Sequence, residues 1–154
     1  MAVTYTLIGQ STLTSTSSSV TFSGIPATYN DLVLRTSSRD TYTNTTDGLI
    51  YVKINTSTNT YSDTVLYGTG SASSSYRNTA PGNSGFETYG STAANATADY
   101  FGNMEIYIPN YADSQKKVAS SFGAPETRAT PFNFGLAIAA GRSSITDAIN
   151  QIVV

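Results

Sequence analysis

The sequence contains no cysteine, no histidine and no tryptophan, and few of its residues are charged. Without cysteine the chain can form neither a disulfide nor a thiolate metal site. Without histidine it lacks the side chain that most often acts as a general base and as a metal ligand. Ser-His-Asp and Cys-His nucleophile arrangements are therefore excluded within this chain, and an enzymatic function would need paired carboxylates.

Such a carboxylate pair is not indicated either. No acidic residues cluster in the sequence, and Glu105 alternates with apolar neighbours as an outward residue of a strand does. Asp40, Asn44 and Asp47 could offer oxygens to Ca²⁺, although Asx turns that fold their loop explain them more simply. We predict a protein that is not an enzyme, with no catalytic residues, no cofactor and no metal site.

Charge also limits the partners that can be expected. Lysine and arginine total 8 against 10 acidic residues, for a net charge of −2. Nucleic-acid binding needs a basic stripe that neutralises phosphates, and the sequence contains none. The one basic pair, Lys116 and Lys117, is expected at the solvated start of a strand. We predict no nucleic-acid partner.

Long apolar runs are missing as well. The longest apolar stretch, residues 134–140, is far shorter than the roughly 20 residues that a membrane-spanning helix needs. The first residues show no basic segment followed by an apolar one, so no secretory signal is predicted. Together with the lack of cysteine, this favours synthesis in a reducing cytoplasm and no membrane partner.

What the sequence has in abundance is serine and threonine, roughly three residues in ten, together with 11 tyrosines. Threonine and tyrosine favour β-sheets, and apolar residues alternate with polar ones in several short runs. The clearest runs are 49–55, with Ile50, Val52 and Ile54 facing inward, and 100–108, with Met104, Ile106 and Ile108 on one face. Further strands are predicted at 3–8, 29–36, 60–66, 116–122 and 132–140, the last with Phe132, Phe134, Leu136 and Ile138 alternating. The pattern indicates one all-β domain over residues 1–154, an antiparallel β-sandwich or barrel.

Two tyrosines are the candidate partner contacts. Residues 68–97 are rich in glycine, serine and asparagine, and we interpret them as either an interface loop or a pair of short strands. Tyr76 and Tyr89 lie within this region. Tyrosine offers a stiff, amphipathic contact surface, so both residues are predicted to contact a partner, with cross-strand packing as the alternative.

In each of two stretches, 19–34 and 104–112, a run of alternating apolar residues ends at Ile-Pro, and both stretches carry a family resemblance. The chain is similar to a family of tailed-bacteriophage virion proteins over most of its length, in order and at the expected spacing. The similar residues are Tyr5-Thr6-Leu7-Ile8, Leu13, Ser19-Val20-Thr21-Phe22-Ser23-Gly24-Ile25-Pro26, Thr28-Tyr29, Asp31-Leu32-Val33-Leu34, Ser38-Arg39, Asp47, Asn55, Tyr61 and Glu105-Ile106-Tyr107-Ile108-Pro109-Asn110-Tyr111.

The resemblance implies a jelly-roll-like β-sandwich and a structural role in the phage particle. Family members serve as capsid decoration (cement) proteins, head fibres or tail fibres. We expect a decoration or head-fibre protein on the outside of the capsid, with the major capsid protein and copies of itself as partners. The alternative is a tail-fibre or receptor-binding module that recognises a host surface glycan.

In one respect the sequence departs from the family. Family members continue past the position of Ile152-Val153-Val154 with a further turn and an apolar strand, whereas this sequence stops there. If the sequence is complete, one strand is missing, and its neighbour would expose an open edge to which another subunit could donate a strand.

Overall fold

The computed structural model describes residues 4–43, 47–55, 60–79, 85–125 and 135–154, and these residues form β-strands without any helix. The strands are β1 (Thr21–Ser23), β2 (Leu32–Arg39), β3 (Asp47–Ile54), β4 (Tyr61–Gly68), β5 (Ser73–Asn78), β6 (Phe86–Thr92), β7 (Gly102–Ile108), β8 (Val118–Ala124), β9 (Leu136–Ser143) and β10 (Gln151–Val153). The predicted all-β, antiparallel sandwich is confirmed.

The ten strands form one hydrogen-bonded sheet that folds back on itself. Their order is β1-β10-β3-β6-β2-β7-β8-β9-β4-β5, and every pairing is antiparallel except that of β6 with β2. This parallel pairing joins only Ser38 to Ser91 and Arg39 to Thr92. The rest of β6 passes beneath the six-stranded part of the sheet and contacts β4, β7, β8 and β9. The result is a four-stranded layer, β1-β10-β3-β6, packed against a six-stranded layer, β2-β7-β8-β9-β4-β5.

The main core lies between β3, β7 and the C-terminal segment. In β7 Met104, Ile106 and Ile108 are buried and the residues between them are exposed, as the alternation predicts. Ile50, Val52 and Ile54 of β3 face them. A sheet face lined by long apolar side chains excludes water, and this burial is the main driving force for the sandwich.

The two Ile-Pro stretches meet at one end of this core. Leu32 pairs with Ile108, and the buried Tyr111 donates its hydroxyl to the carbonyl of Pro26. Its backbone N–H donates to the carbonyl of Asn30 at 3.2 Å. These motifs therefore have a structural role, because they join the turn after β1 to the turn after β7.

Several predictions need correction. Residues 4–8 form no strand, and Val3 lies outside the described residues. Lys117 is not solvated: it is buried, and its ammonium donates to the carbonyls of Asp113, Gln115 and Thr146. Of the two interpretations of residues 68–97, the pair of strands is correct, since β5 and β6 lie there.

The C-terminal strand is paired on both sides. β10 pairs with β1 through Phe22 and Ile152 and with β3 through Ile54 and Ile152. The strands at the two ends of the described sheet are β1 and β5. β1, the neighbour of β10, is therefore the edge strand at this end of the described sheet, and an open edge that accepts a strand from another subunit stays a prediction.

Candidate interaction surface

Tyr76 and Tyr89 come together in a small cluster beneath the β4-β5 hairpin. Their hydroxyl oxygens lie 2.9 Å apart, and Tyr76 also donates a hydrogen bond to the carboxylate of Glu87. Tyr89 is only 8% exposed, and Tyr76 is partly buried against Val65 and the alanines of β9. Contact of these two tyrosines with a partner stays a prediction, and what the structure shows for them is internal packing.

The centre of this cluster is the buried carboxylate of Glu87. Besides Tyr76, the side-chain amide of Asn78 donates to it at 2.9 Å. Burial, followed by the hydrogen bond to Glu87, raises the pKa of Tyr76 above its usual range. Burial, followed by the negative charge of Glu87, also raises the pKa of Tyr51 on β3. The hydroxyls are thereby kept protonated as donors, and the cluster ties edge strand β5 to β6.

Large apolar side chains are exposed on the opposite, outward face of the six-stranded layer. The register places Phe122, Ile138 and Leu66 side by side on β8, β9 and β4. Leu136 lies two residues before Ile138, on the same face of β9. These four side chains, which we call the apolar strip, are 43% to 54% exposed. The strip is a contiguous apolar surface of the kind that marks interaction sites on soluble proteins.

The apolar strip exists because the inward positions of β8 and β9 hold only small residues. A Cβ on Gly123 would overlap the carbonyl oxygen of Tyr89 and lie 2.6 Å from its carbonyl carbon. A Cβ on Gly141 would lie 2.7 Å from the ring of Phe86. Since β6 passes this close beneath, Ala137 and Ala139 fill the inward face and the large residues point outward. Leu136 and Ile138 therefore do alternate, but on the solvent face.

An ion pair adjoins one end of the strip. Glu105 is the neighbour of Phe122 across β7 and β8, and its carboxylate accepts a hydrogen bond from Arg35 of β2 at 2.7 Å. The Arg35 guanidinium in turn lies under the ring of Tyr5, 5.5 Å from its centre. The cross-strand row therefore consists of the Arg35–Glu105 ion pair followed by three apolar side chains.

The segment that carries Tyr5, residues 4–19, is an uncharged and exposed arm. Tyr5 and Leu7 are 71% and 73% exposed, and Ile8 and Leu13 are exposed as well. Gly9 passes close to the ring of Phe22 on β1. Within the described part of the chain the arm makes no backbone–backbone hydrogen bond. Its alternating apolar residues predict a strand, but residues 4–8 pair with no strand of the described sheet.

Two of the basic residues stabilise the fold, which no sequence pattern indicated. Arg39 donates to the carbonyl oxygens of Ala94, Ala96, Thr97 and Tyr100 at 2.8 to 3.1 Å and so holds the turn between β6 and β7. Burial lowers the pKa of Lys117, which acidic neighbours partly oppose. Both cations bind backbone carbonyls, so neither contributes to a basic surface.

The candidate calcium ligands are only partly described. The carboxylate of Asp40 accepts the backbone N–H of Tyr42 at 2.8 Å, which is the predicted Asx turn. Asn44 and the side chain of Asp47 lie outside the described residues. Within the described ranges no group of three acidic residues converges as metal ligands would, and no helix is present that could cross a membrane.

Comparison with known proteins gives no match: neither a family model, nor a curated protein, nor a solved structure resembles the chain. No comparison therefore tests the resemblance to phage virion proteins, which stays a prediction. The geometry offers a rigid sheet that presents an apolar strip, and an uncharged arm beside it. Both are suited to contact with protein surfaces.

Proposed function

We propose that this protein is a non-enzymatic structural component of a tailed-bacteriophage particle, bound as a decoration or head-fibre protein to the outside of the capsid. The observation that carries the interaction role is the apolar strip of Leu66, Phe122, Leu136 and Ile138 on the outward face. The phage context comes from the sequence resemblance. The proposed partners are the major capsid protein and further copies of this chain, and the proposed location is the virion.

The proposal fits the physical demands on a protein that covers a shell. The free energy falls when a partner surface removes exposed apolar side chains from water. Each copy needs only a modest contact, because many copies on one lattice reinforce one another through effective concentration. The stiff frame supports this role, since Tyr111 and Arg39 fix the turns at which the layers are joined.

In the alternative, a tail-fibre or receptor-binding module, the loop tyrosines Tyr76 and Tyr89 would bind a host glycan together with Asn and Asp side chains. Their hydroxyls are engaged with each other and with Glu87, so they form no open platform for a sugar ring. No other observation favours this alternative, and we rank it second.

The test is to label intact virions with an antibody fragment raised against the folded protein and to image them by electron microscopy. Label spread over the head at lattice spacing is the expected result. Label restricted to the tail would support the alternative. If the fragment labels neither head nor tail, and mass spectrometry finds no copy of the chain in purified particles, the virion proposal is wrong.

A further inference from the structure

The arm and the apolar strip are two uncovered apolar surfaces in the same chain. Leu7 and Leu13 of the arm point into solvent, and so do Phe122 and Ile138 of the strip. Neither covers the other within one molecule, although Tyr5 already lies over Arg35 in the same cross-strand row as the strip. An alternating segment without ladder partners is a ready element for binding to another chain.

We propose that the occupant of the apolar strip is the arm of a second copy of this protein. The inference rests on the self-association named in the proposed function and specifies how it occurs. Residues 4–30 contain no charged side chain, so the arm can cover an apolar surface without stripping water from a charge. The four side chains of the strip are also uncharged, and the charges of Arg35 and Glu105 beside Phe122 neutralise each other.

The dimensions allow the exchange. The arm is joined to β1, where Val20 and Val154 exchange two backbone hydrogen bonds of 2.8 and 2.9 Å. Sixteen extended residues span roughly 50 Å, at about 3.3 Å for each residue. From β2 to β4 the sheet crosses four strand spacings, which is about 20 Å. An arm fixed at Val20 of one copy can therefore lie across the whole strip of a neighbour.

The first experiment uses the lack of cysteine. The variants Leu7→Cys and Ile138→Cys are purified separately, the second labelled with ¹⁵N, and mixed under mild oxidation. Each variant has one thiol, so a dimer of intermediate mass forms only between two copies. We expect at least about tenfold more of this mixed dimer than when Leu7→Cys is mixed with Lys53→Cys, an exposed control on the other layer. The reason is that docking raises the effective concentration of one thiol near the other from micromolar to millimolar.

The second experiment measures the mass of the full-length protein in solution by light scattering. Wild type is expected to be an oligomer, Leu7→Asp a monomer, and Thr6→Asp, an exposed control on the opposite face of the extended arm, an oligomer like wild type. Leu7 is 73% exposed, so loss of folding would not explain the change, and circular dichroism of each variant checks this.

The outcomes separate the two proposals. An oligomeric wild type with no excess of mixed dimer, or an unchanged mass for Leu7→Asp, overturns the arm exchange and leaves self-association through another surface. A monomeric wild type without mixed dimers overturns the arm exchange and the self-association together, which assigns the strip to a different partner. Attachment to the virion is then still decided by the labelling experiment.

Discussion

Strands β7 and β9 belong to the same layer, yet they divide their side chains in opposite ways. β7 sends Met104 and Ile106 inward and leaves the charged Glu105 outside. β9 sends Ala137 and Ala139 inward and leaves Leu136 and Ile138 outside. The difference lies in what each strand faces. From Met104 to Ile108, β7 faces the long side chains of the main core, whereas the backbone of β6 lies against β8 at Gly123 and the ring of Phe86 lies against β9 at Gly141. The same alternating pattern therefore builds a core in one region and an interaction surface in the other.

The same substitution, isoleucine to aspartate, should change stability most on β7 and hardly at all on β9. Ile106→Asp places an unpaired charge at a site that is 1% exposed, and we expect at least about 4 kcal/mol of destabilisation and no soluble protein. Ile138→Asp, at a site that is 49% exposed, is expected to fold with nearly the wild-type melting temperature. Soluble yield and thermal unfolding measure both. A folded Ile106→Asp or an unfolded Ile138→Asp would reverse our assignment of the two faces.

The next prediction tests the close approach of β6. Gly123→Ala adds a Cβ that must displace the backbone of Tyr89, and we expect a loss of about 3 kcal/mol or more by urea unfolding. Gly68→Ala is the matched control at the end of β4, where the nearest atom is 4.0 Å from an added Cβ. It should change stability by less than about 1 kcal/mol. Equal effects of the two variants would mean that backbone contact does not cause the small inward residues.

A smaller effect is expected in the Glu87 cluster. Tyr76→Phe leaves the buried carboxylate without one donor, which should cost about 1 to 3 kcal/mol near neutral pH. The raised pKa of Tyr76 also has a pH consequence. Its contribution is complete below pH 10, the ordinary tyrosine pKa, and is lost as the pH rises further, because the unfolded state then releases the proton first. Urea unfolding between pH 8 and pH 11 should therefore show a shallower alkaline decline for Tyr76→Phe. An unchanged slope would contradict this role.

The smallest effect is expected at the ion pair beside the apolar strip. The side chains of Arg35 and Glu105 are 65% and 47% exposed, and solvent screens such a pair strongly. Glu105→Gln should leave the melting temperature unchanged within measurement error. A drop of several degrees would show that this end of the row contributes to the fold, and that the outward face is more than an interaction surface.

Alternation alone predicted β3 and β7 correctly, including which residues face inward. In both strands the long apolar side chains face the core, so hydrophobicity and burial agree. The same reasoning failed for β5 and β6, because β6 is buried on both faces and its sequence, with Thr88, Gly90, Ser91 and Thr92, has no apolar period. Serine and threonine can be buried there, and such a strand has the composition of a loop.

The candidate site was harder to predict than the fold. Tyr76 and Tyr89 lie in a stretch without apolar alternation, which suggests a loop, whereas the structure places both on strands that meet at Glu87. The apolar strip was missed, because exposed Leu136 and Ile138 look like core residues in a sequence. One signal was available: the glycines and alanines that alternate with them leave no room for a core of normal size on their own side.

Local sequence was enough to predict the class of fold, the two Ile-Pro turns and the inward residues of the strands that face long side chains. These follow from alternation and from proline, which act within a few residues. The exposed face of β8 and β9, the positions of the charges of Arg39 and Lys117, and the lack of pairing between the arm and the described strands depend on tertiary packing. Those outcomes depend on how closely β6 approaches from a distant part of the chain. The local sequence of one strand does not specify the distance between two layers.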